Sequence, residues 1–365
     1  MGSYVFINIR KMKKNNYLII FIVVVCIACT KKQDKSAINY FSTVKEITEY
    51  DSIYSDKNDE AYGISQMLRY KNILIARNIE KNDYFFSFYD TEKGVFLGSW
   101  GKRGQGPDEF NDVGPFSVNN SQITFTDIQK REFIHVSIES ILNKEKTIIK
   151  REIYPSPKGF FPLVIEAIKD KKIAVGAFEN SRFGVLDSDN NIIDNISDYP
   201  FNYDEITGIF RGFAFQSNLK SNVEQSKFII TTKCSDIFEI FQITDSGIYR
   251  TYLSPFKHIP KITPTPGRNS GFDVSVRESL GGILNMAVTD DLIYFAYTSK
   301  NYNESYDSGH ITDEILCYNW NGEKIKKYIL PFPIDAHSLC VDNDNYIYGT
   351  RESDDEMIIY RFGIN

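Results

Sequence analysis

Histidine and cysteine are scarce in this chain, four and five of 365 residues. His135, His258, His310 and His337 form no HxH, HxxxH or HExxH pattern, so the sequence writes no local metal site, and neither a metal nor a cofactor is expected. No GxSxG stands where a serine hydrolase would carry its nucleophile elbow. Cys234, Cys317 and Cys340 are odd in number and lack CxxC spacing. They read as buried thiols, with a single disulfide left open. Twelve Pro and 22 Gly exclude proline-rich and collagen-like chains. Helical periodicity is nearly absent: only Ser137–Lys146 sets Ile138, Ile141, Leu142 and Glu145 at i, i+3, i+4, i+7, enough for one or two turns. What is abundant is aromatic: 27 Phe, 23 Tyr and 2 Trp, alongside many Ile, favour strands.

The one conspicuous hydrophobic run lies at the start. Arg10, Lys11, Lys13 and Lys14 precede an unbroken apolar stretch from Tyr17 to Cys29, and Met12 heads the segment as a candidate start. The stretch is shorter than the ~20 residues a helix needs to cross about 30 Å of hydrocarbon. Basic residues before a short apolar run form a secretory signal. Its end, Cys26-Ile27-Ala28-Cys29, resembles a bacterial lipobox, with Cys29 as the lipid attachment residue; Cys26 stands where Leu is usual. An uncleaved anchor and a plain leader without lipid are the alternatives. The expected division is 1–29 signal peptide with lipobox-like end, 30–37 tether, 38–365 folded body. Removing residues 1–28 takes four of 42 cations and none of 48 anions, leaving 38 against 48 and a net charge of −10. So acidic a body argues against nucleic acid, whose capture needs Lys and Arg.

The body repeats. Short β-rich strings recur around Ile73, Ile123, Ile173, Phe228, Ile293 and Ile347, spaced by 50, 50, 55, 65 and 54 residues. Each is followed by a second strand, such as Phe183–Leu186 or Phe238–Ile243. Turns such as Thr91–Gly94 and Asn321-Gly322 then lead to a third, such as Ile192–Ile196. Hairpin-linked strands at this period predict an all-β, six-bladed β-propeller with four-stranded blades. The last unit ends just after Ile358–Phe362, so Tyr40–Tyr50 is expected to supply its outer strand and close the ring from the N-terminal side.

Between the first two units lies Gly98-Ser-Trp-Gly101-Lys-Arg-Gly104-Gln-Gly106-Pro-Asp-Glu-Phe110. A phosphate loop is excluded: Pro107 removes an N–H donor, and Asp108 and Glu109 would repel the anion. The string resembles the GxxGxGPxEF signature of six-bladed, TolB-like and NHL-like propeller lipoproteins of Bacteroidetes, with Asp108 where Gly is common. The resemblance implies a propeller at the cell envelope and carries over no catalytic residue.

Candidate ligand-binding residues are few. Lys102 and Arg103 in the glycine-rich loop can reach a face of the ring. Arg211 sits in an aromatic stretch, Phe201–Ser217, suited to carbohydrate or peptide. Arg268 and Arg277 lie in the long irregular stretch Pro255–Gly282, and long loops in compact domains carry function. Asp342-Asn-Asp-Asn345 reads as a blade turn, because Tyr346 stands where a calcium loop requires Gly. The expectation is an envelope-anchored binding or scaffold module for a glycan, peptide or protein partner, held to the membrane by lipid. The alternative is an envelope hydrolase or lyase acting on glycan or peptide, its site at the axial mouth.

Overall fold

The computed structural model describes residues 37–56, 63–79, 83–145, 147–155, 157, 160–179, 181–196, 199–201, 209–261, 279–343, 345–353 and 356–365. The signal segment, Cys29 and the tether before residue 37 lie outside the described residues, as do Arg268 and Arg277.

Two short strands, β1 (Val44–Glu46) and β2 (Tyr50–Asp56), come first. Blade one is β3 (Ile64–Tyr70), β4 (Ile73–Asn78), β5 (Tyr84–Asp90) and β6 (Val95–Lys102). Blade two is β7 (Val113–Asn119), β8 (Gln122–Asp127), β9 (Glu132–Ser137) and β10 (Ile148–Ile153), with helix α1 (Ile138–Leu142) capped by Ser137. Blade three is β11 (Phe160–Ile168), β12 (Lys171–Phe178), β13 (Phe183–Leu186) and β14 (Ile192–Ile196). Helix α2 (Ile209–Ala214) leads to blade four: β15 (Ser217–Asn222), β16 (Lys227–Thr232), β17 (Phe238–Thr244) and β18 (Gly247–Leu253). Blade five is β19 (Leu280–Val288), β20 (Leu292–Asn301), β21 (Ile311–Asn319) and β22 (Lys324–Asp335), with helix α3 (Tyr302–Asp307) after β20. Blade six is β23 (Cys340–Asp342), β24 (Tyr346–Ser353) and β25 (Glu356–Gly363), completed by β2.

The predicted six-bladed propeller is therefore what forms. The first strand of each blade is innermost, and β3, β7, β11, β15, β19 and β23 touch their neighbours in turn around one axis. The six sequence anchors all fall on the second strands, β4, β8, β12, β16, β20 and β24. These strands are covered on both faces, as in Ile73–Asn78, where every residue but Arg77 is buried, so they read as continuous apolar runs. Outer strands face water and alternate or turn polar, as in Ile192–Ile196.

The core is divided among the blade interfaces. Phe86 and Phe88 meet Phe116 and Phe125 between blades one and two. Phe133 and Tyr154 meet Phe160 and Ala174 between two and three. Val175 and Phe183 meet Phe228 and Phe241 between three and four, and Phe238 meets Phe295 and Tyr318 between four and five. Ile315 meets Ile347 and Phe362 between five and six. Ile359 and Tyr348 meet Leu74 and Tyr89 where six returns to one. Each sheet thus buries both faces against its neighbours, which no blade could do alone.

An N-terminal strand closes the ring, but later in the chain than Tyr40–Tyr50. Antiparallel pairing with β25 runs from Tyr50 opposite Phe362 to Asp56 opposite Met357. Val44–Glu46 pairs in parallel with Lys327–Ile329 and adds a fifth strand to blade five. The shift follows from burial: Ile38, Phe41 and Ile47 are buried against blades four, five and six, which fixes the segment there and leaves the next residues to complete blade six. Cys234, Cys317 and Cys340 are buried, and none forms a disulfide among the described residues. The Asp342–Asn345 string is a turn, with Asn345 N–H donating to Asp342 O at 2.8 Å. Among the described residues no helix is long and apolar enough to cross a membrane.

Candidate functional site

The two ends of the ring differ. One end carries the crossovers that enter each inner strand together with the turns between second and third strands. Lys233 follows Thr232, which pairs with Ser217 at the start of β15. Arg77 pairs with Gln66 near the start of β3. Asn301 pairs with Leu280 at the start of β19, so α3 stands at the same end, as does Asp335 at the end of β22, opposite Ile311. This crossover face collects most of the chain's unusual polar side chains.

On the axis beneath it, charged groups from several blades converge. Lys220 of blade four reaches Glu166 Oε1 of blade three at 3.7 Å and donates to the Phe116 carbonyl of blade two at 3.4 Å. The same carbonyl accepts from Gln66 Nε2 of blade one at 2.7 Å, while Phe116 N–H donates to Gln66 Oε1 at 2.9 Å. A lysine that meets blades two and three from blade four crosses the channel. Burial raises the pKa of Glu166, and burial with repulsion from Arg77 lowers that of Lys220.

Arg77 of blade one and Lys233 of blade four stand at this same end of the ring. Arg77 is held from behind: Nε donates to Ser65 Oγ at 2.9 Å and Nη1 to the Val113 carbonyl of blade two at 2.8 Å. Burial, with repulsion from Arg103 and against the pull of Asp112, lowers its guanidinium to about 10. Lys233 is open to solvent, yet protein crowds its ammonium enough that burial and Arg77 lower its pKa. Among the described residues neither Arg77 Nη2 nor Lys233 Nζ has a hydrogen-bond partner.

At the rim, Tyr302 and Tyr306 of α3 stack at 6.1 Å, and His310 contacts both at 5.4 and 5.8 Å. His310 meets His337 edge-on at 5.3 Å. His337 Nδ1 lies 3.1 Å from Asp335 Oδ1, which also accepts the His337 backbone N–H at 2.8 Å. Burial, then His337 and Lys233, lower the His310 pKa.

Of the residues singled out from sequence, Lys102, Arg103 and Arg211 are among those described. Lys102 Nζ lies 2.8 Å from Glu109 Oε1, and Glu109 Oε2 accepts the Gly106 N–H at 3.0 Å. Arg103 donates to the Asn78 carbonyl at 2.8 Å and covers the Phe85 ring at 3.8 Å. Blade two grips the same loop: Lys130 Nζ donates to Glu109 O at 2.6 Å and Arg151 to Pro107 O at 2.9 Å, while Phe110 is sealed against Trp100 and Phe125. The glycine-rich loop clamps blade one to blade two. Arg211 lies 5.7 Å over the Tyr199 ring, and Phe215 beside it is buried with Ala214 and Ile237. His258 meets Asp236 at 3.0 Å on the crossover face, and His135 meets Glu152 at 3.0 Å on the outer strands of blade two. Arg77, Glu166, Lys220 and Lys233 went unrecognised in the sequence. The available signal was charge inside short, half-apolar strings such as Ser217-Asn-Leu-Lys-Ser-Asn222, just ahead of each anchor.

Comparison with known proteins agrees with this architecture. A member of the DUF4221 family from Bacteroides vulgatus ATCC 8482 superposes with a TM-score of 0.56 at 13% identity, covering 87% of this chain and 97% of that one. A candidate exported protein from Bacteroides fragilis NCTC 9343 gives 0.52 at 14%, covering 91% and 96%. At such identities the likeness concerns the fold. No curated protein sequence matches the chain. The family described as TolB-like 6-blade propeller-like matches residues 46–344, and with six blades closed as that description requires, the chain belongs to this TolB-like propeller family.

Proposed function

We propose that this protein is a binding module of the bacterial cell envelope, held there by lipid on Cys29, that takes a glycan, peptide or protein ligand at its crossover face. The observation that carries the reading is the cluster of Tyr302, Tyr306, His310 and His337, whose rings meet one another at the rim of the crossover face, with Lys233 exposed at the same end. Sites of this kind are concave, preformed and marked by perturbed titratable groups. The tyrosines and histidines at the rim add flat contact area for a sugar or peptide. The basic, apolar and Ala-Cys sequence before residue 30 supports the location.

Screening the full chain against envelope glycans and peptides tests the reading. A ligand whose binding falls on substitution of Tyr306 or Lys233 supports it; ligands indifferent to every crossover-face substitution would refute it. The hydrolase or lyase reading has one observation in favour, the His337–Asp335 contact of 3.1 Å beside the channel mouth. Turnover of a bound ligand, lost in His337→Gln with binding retained, would favour that reading.

A further inference from the structure

Between second and third strands, blades two, three and four need only residues 128–131, 179–182 and 233–237. Blade five inserts residues 302–310, which carry α3. The insertion is tied down at every step. Asn301 Oδ1 accepts the Glu304 N–H at 2.9 Å, and Glu304 Oε2 accepts the Asn301 N–H at 3.3 Å. Tyr302 N–H donates to Ser279 O at 2.8 Å and His310 N–H to Ser305 O at 2.7 Å. Ser305 is wholly buried, with its hydroxyl 3.0 Å from His310 Nδ1. His337 is braced beside it by Asp335, and Asn285 Nδ2 donates to the His337 carbonyl at 2.9 Å. On this fixed base Tyr306 stands in the open. It is 64% exposed, more than Tyr50, Tyr84, Tyr249 or Tyr346. Tyr302 lies along one side of its ring, 24° from parallel, and His310 meets it edge-on. An aromatic ring held in water forgoes the burial that would stabilise it. Its neighbours have already ordered it, so little freedom is left to lose on binding.

We propose that Tyr306, with Tyr302, His310 and His337 beside it, is a stacking platform for an uncharged pyranose ring of a glycan. This rests on the reading of the crossover face as the binding face and names its ligand class. A pyranose is apolar across its C–H faces and polar at its edge. Its C–H hydrogens carry slight positive charge and meet the negative face of an aromatic ring. Its hydroxyls find partners in the tyrosine hydroxyls and in His337, where a carboxylate beside Nδ1 draws the ring proton there and leaves Nε2 as an acceptor. A peptide fits less well. An added strand needs an unpaired edge, and a helix needs an apolar groove. Here β20 already pairs with β19 and β21, and β21 with β22.

The test uses the full chain and four uncharged glycans, cellotetraose, maltotetraose, mannotetraose and N-acetylated chitotetraose, with the peptide Ala-Phe-Ala-Phe as a sugar-free aromatic counterpart. At least one glycan should bind by calorimetry, and saturation-transfer NMR should be strongest at its ring C–H protons. Tyr306→Ala should weaken that binding ~3–10-fold, the scale of one aromatic contact. Tyr306→Phe keeps the ring and should stay within ~2-fold of the parent. Both variants should melt as the parent does, because the side chain is exposed. Tyr249→Ala removes an exposed tyrosine from the outer strand β18 and should leave binding unchanged. Failure of all four glycans to bind, or undiminished binding by Tyr306→Ala, overturns the proposal. Binding of the peptide alone, lost in Tyr306→Ala, would overturn the glycan assignment while leaving the binding-module reading intact.

Discussion

Glu152 shows how a single carboxylate joins two blades. Its Oε1 meets His135 at 3.0 Å and Lys150 at 2.9 Å; its Oε2 meets Lys172 at 2.6 Å and Asn190 at 3.1 Å, across the junction of blades two and three. Burial alone would raise its pKa, but Lys172, Lys150 and Asn190 together hold it down to about 2. A folded-state pKa below the unfolded value of about 4.3 means the folded chain binds fewer protons there. The contribution is present above about pH 4.3 and is lost as pH falls toward 2. Glu152→Gln should therefore destabilise by about 1.5–3 kcal/mol at pH 7, the scale of hydrogen bonds to a charged group. Paired melts of variant and parent at pH 7, 5, 4 and 3 should show the gap narrowing with acid; a gap constant with pH would mean the carboxylate's charge is not what matters. Glu239 is buried more deeply, between Arg182 at 3.0 Å and Arg250 at 2.9 Å, and ties blade three to blade four in the same way.

The glycine-rich loop is the clearest case of an element whose form is set by backbone rather than by ligand. Gly104 has φ of +150°, and a Cβ there would lie 2.0 Å from Glu109 Oε2. That oxygen is where it is because Gly106 N–H and Lys102 hold the carboxylate. Gly104→Ala must both enter a region closed to other residues and displace this carboxylate. A cost of about 1–3 kcal/mol follows. The measurement is thermal unfolding beside Glu109→Gln, which weakens the same tie without straining the backbone. Gly104→Ala should be the more damaging, and equal stability of the two would deny the backbone its role.

At the scale of the whole molecule, closure holds six separate interfaces together. With β2 in place blade six has its outer strand and no unpaired edge at β25. A chain beginning at Lys57 would lose β1 and β2, along with Ile38, Phe41 and Ile47 from the clusters at blades four to six. Such a chain should unfold at a temperature lower by several degrees and associate through the exposed edge, as a long unpaired strand does. A chain beginning at Ala37 should melt as the full chain does. Light scattering and calorimetry on the two truncations decide the matter; equal stability would show that the ring closes without the N-terminal strand.

The blade count, the second, third and outer strands and the four-stranded plan could be read from residue order, because strands packed on both faces need unbroken apolar strings like Ile73-Leu-Ile-Ala76 and hairpins need their turn residues. At Gly98–Phe110 the glycines and proline marked a special backbone and argued against a phosphate loop, but the grip of Lys130 and Arg151 on that loop, which makes it a clamp, comes from another blade and left no local mark. The inner strands left almost no such trace. Ser217–Asn222 carries Lys220 and four other polar residues because one side of it faces the axis, so its pattern resembles a loop. The register of closure was equally hidden: whether Tyr40–Tyr50 or Tyr50–Asp56 pairs with β25 depends on where Ile38, Phe41 and Ile47 find apolar partners some 280 residues away. The meeting of Lys220 with Glu166 and with the Phe116 carbonyl has no sequence signature, since these partners are 54 and 104 positions away and come together only because the ring brings blades two, three and four to one axis. Apolar periodicity acts between neighbours in the chain and so survives in sequence; convergence on an axis arises only when the ring has closed.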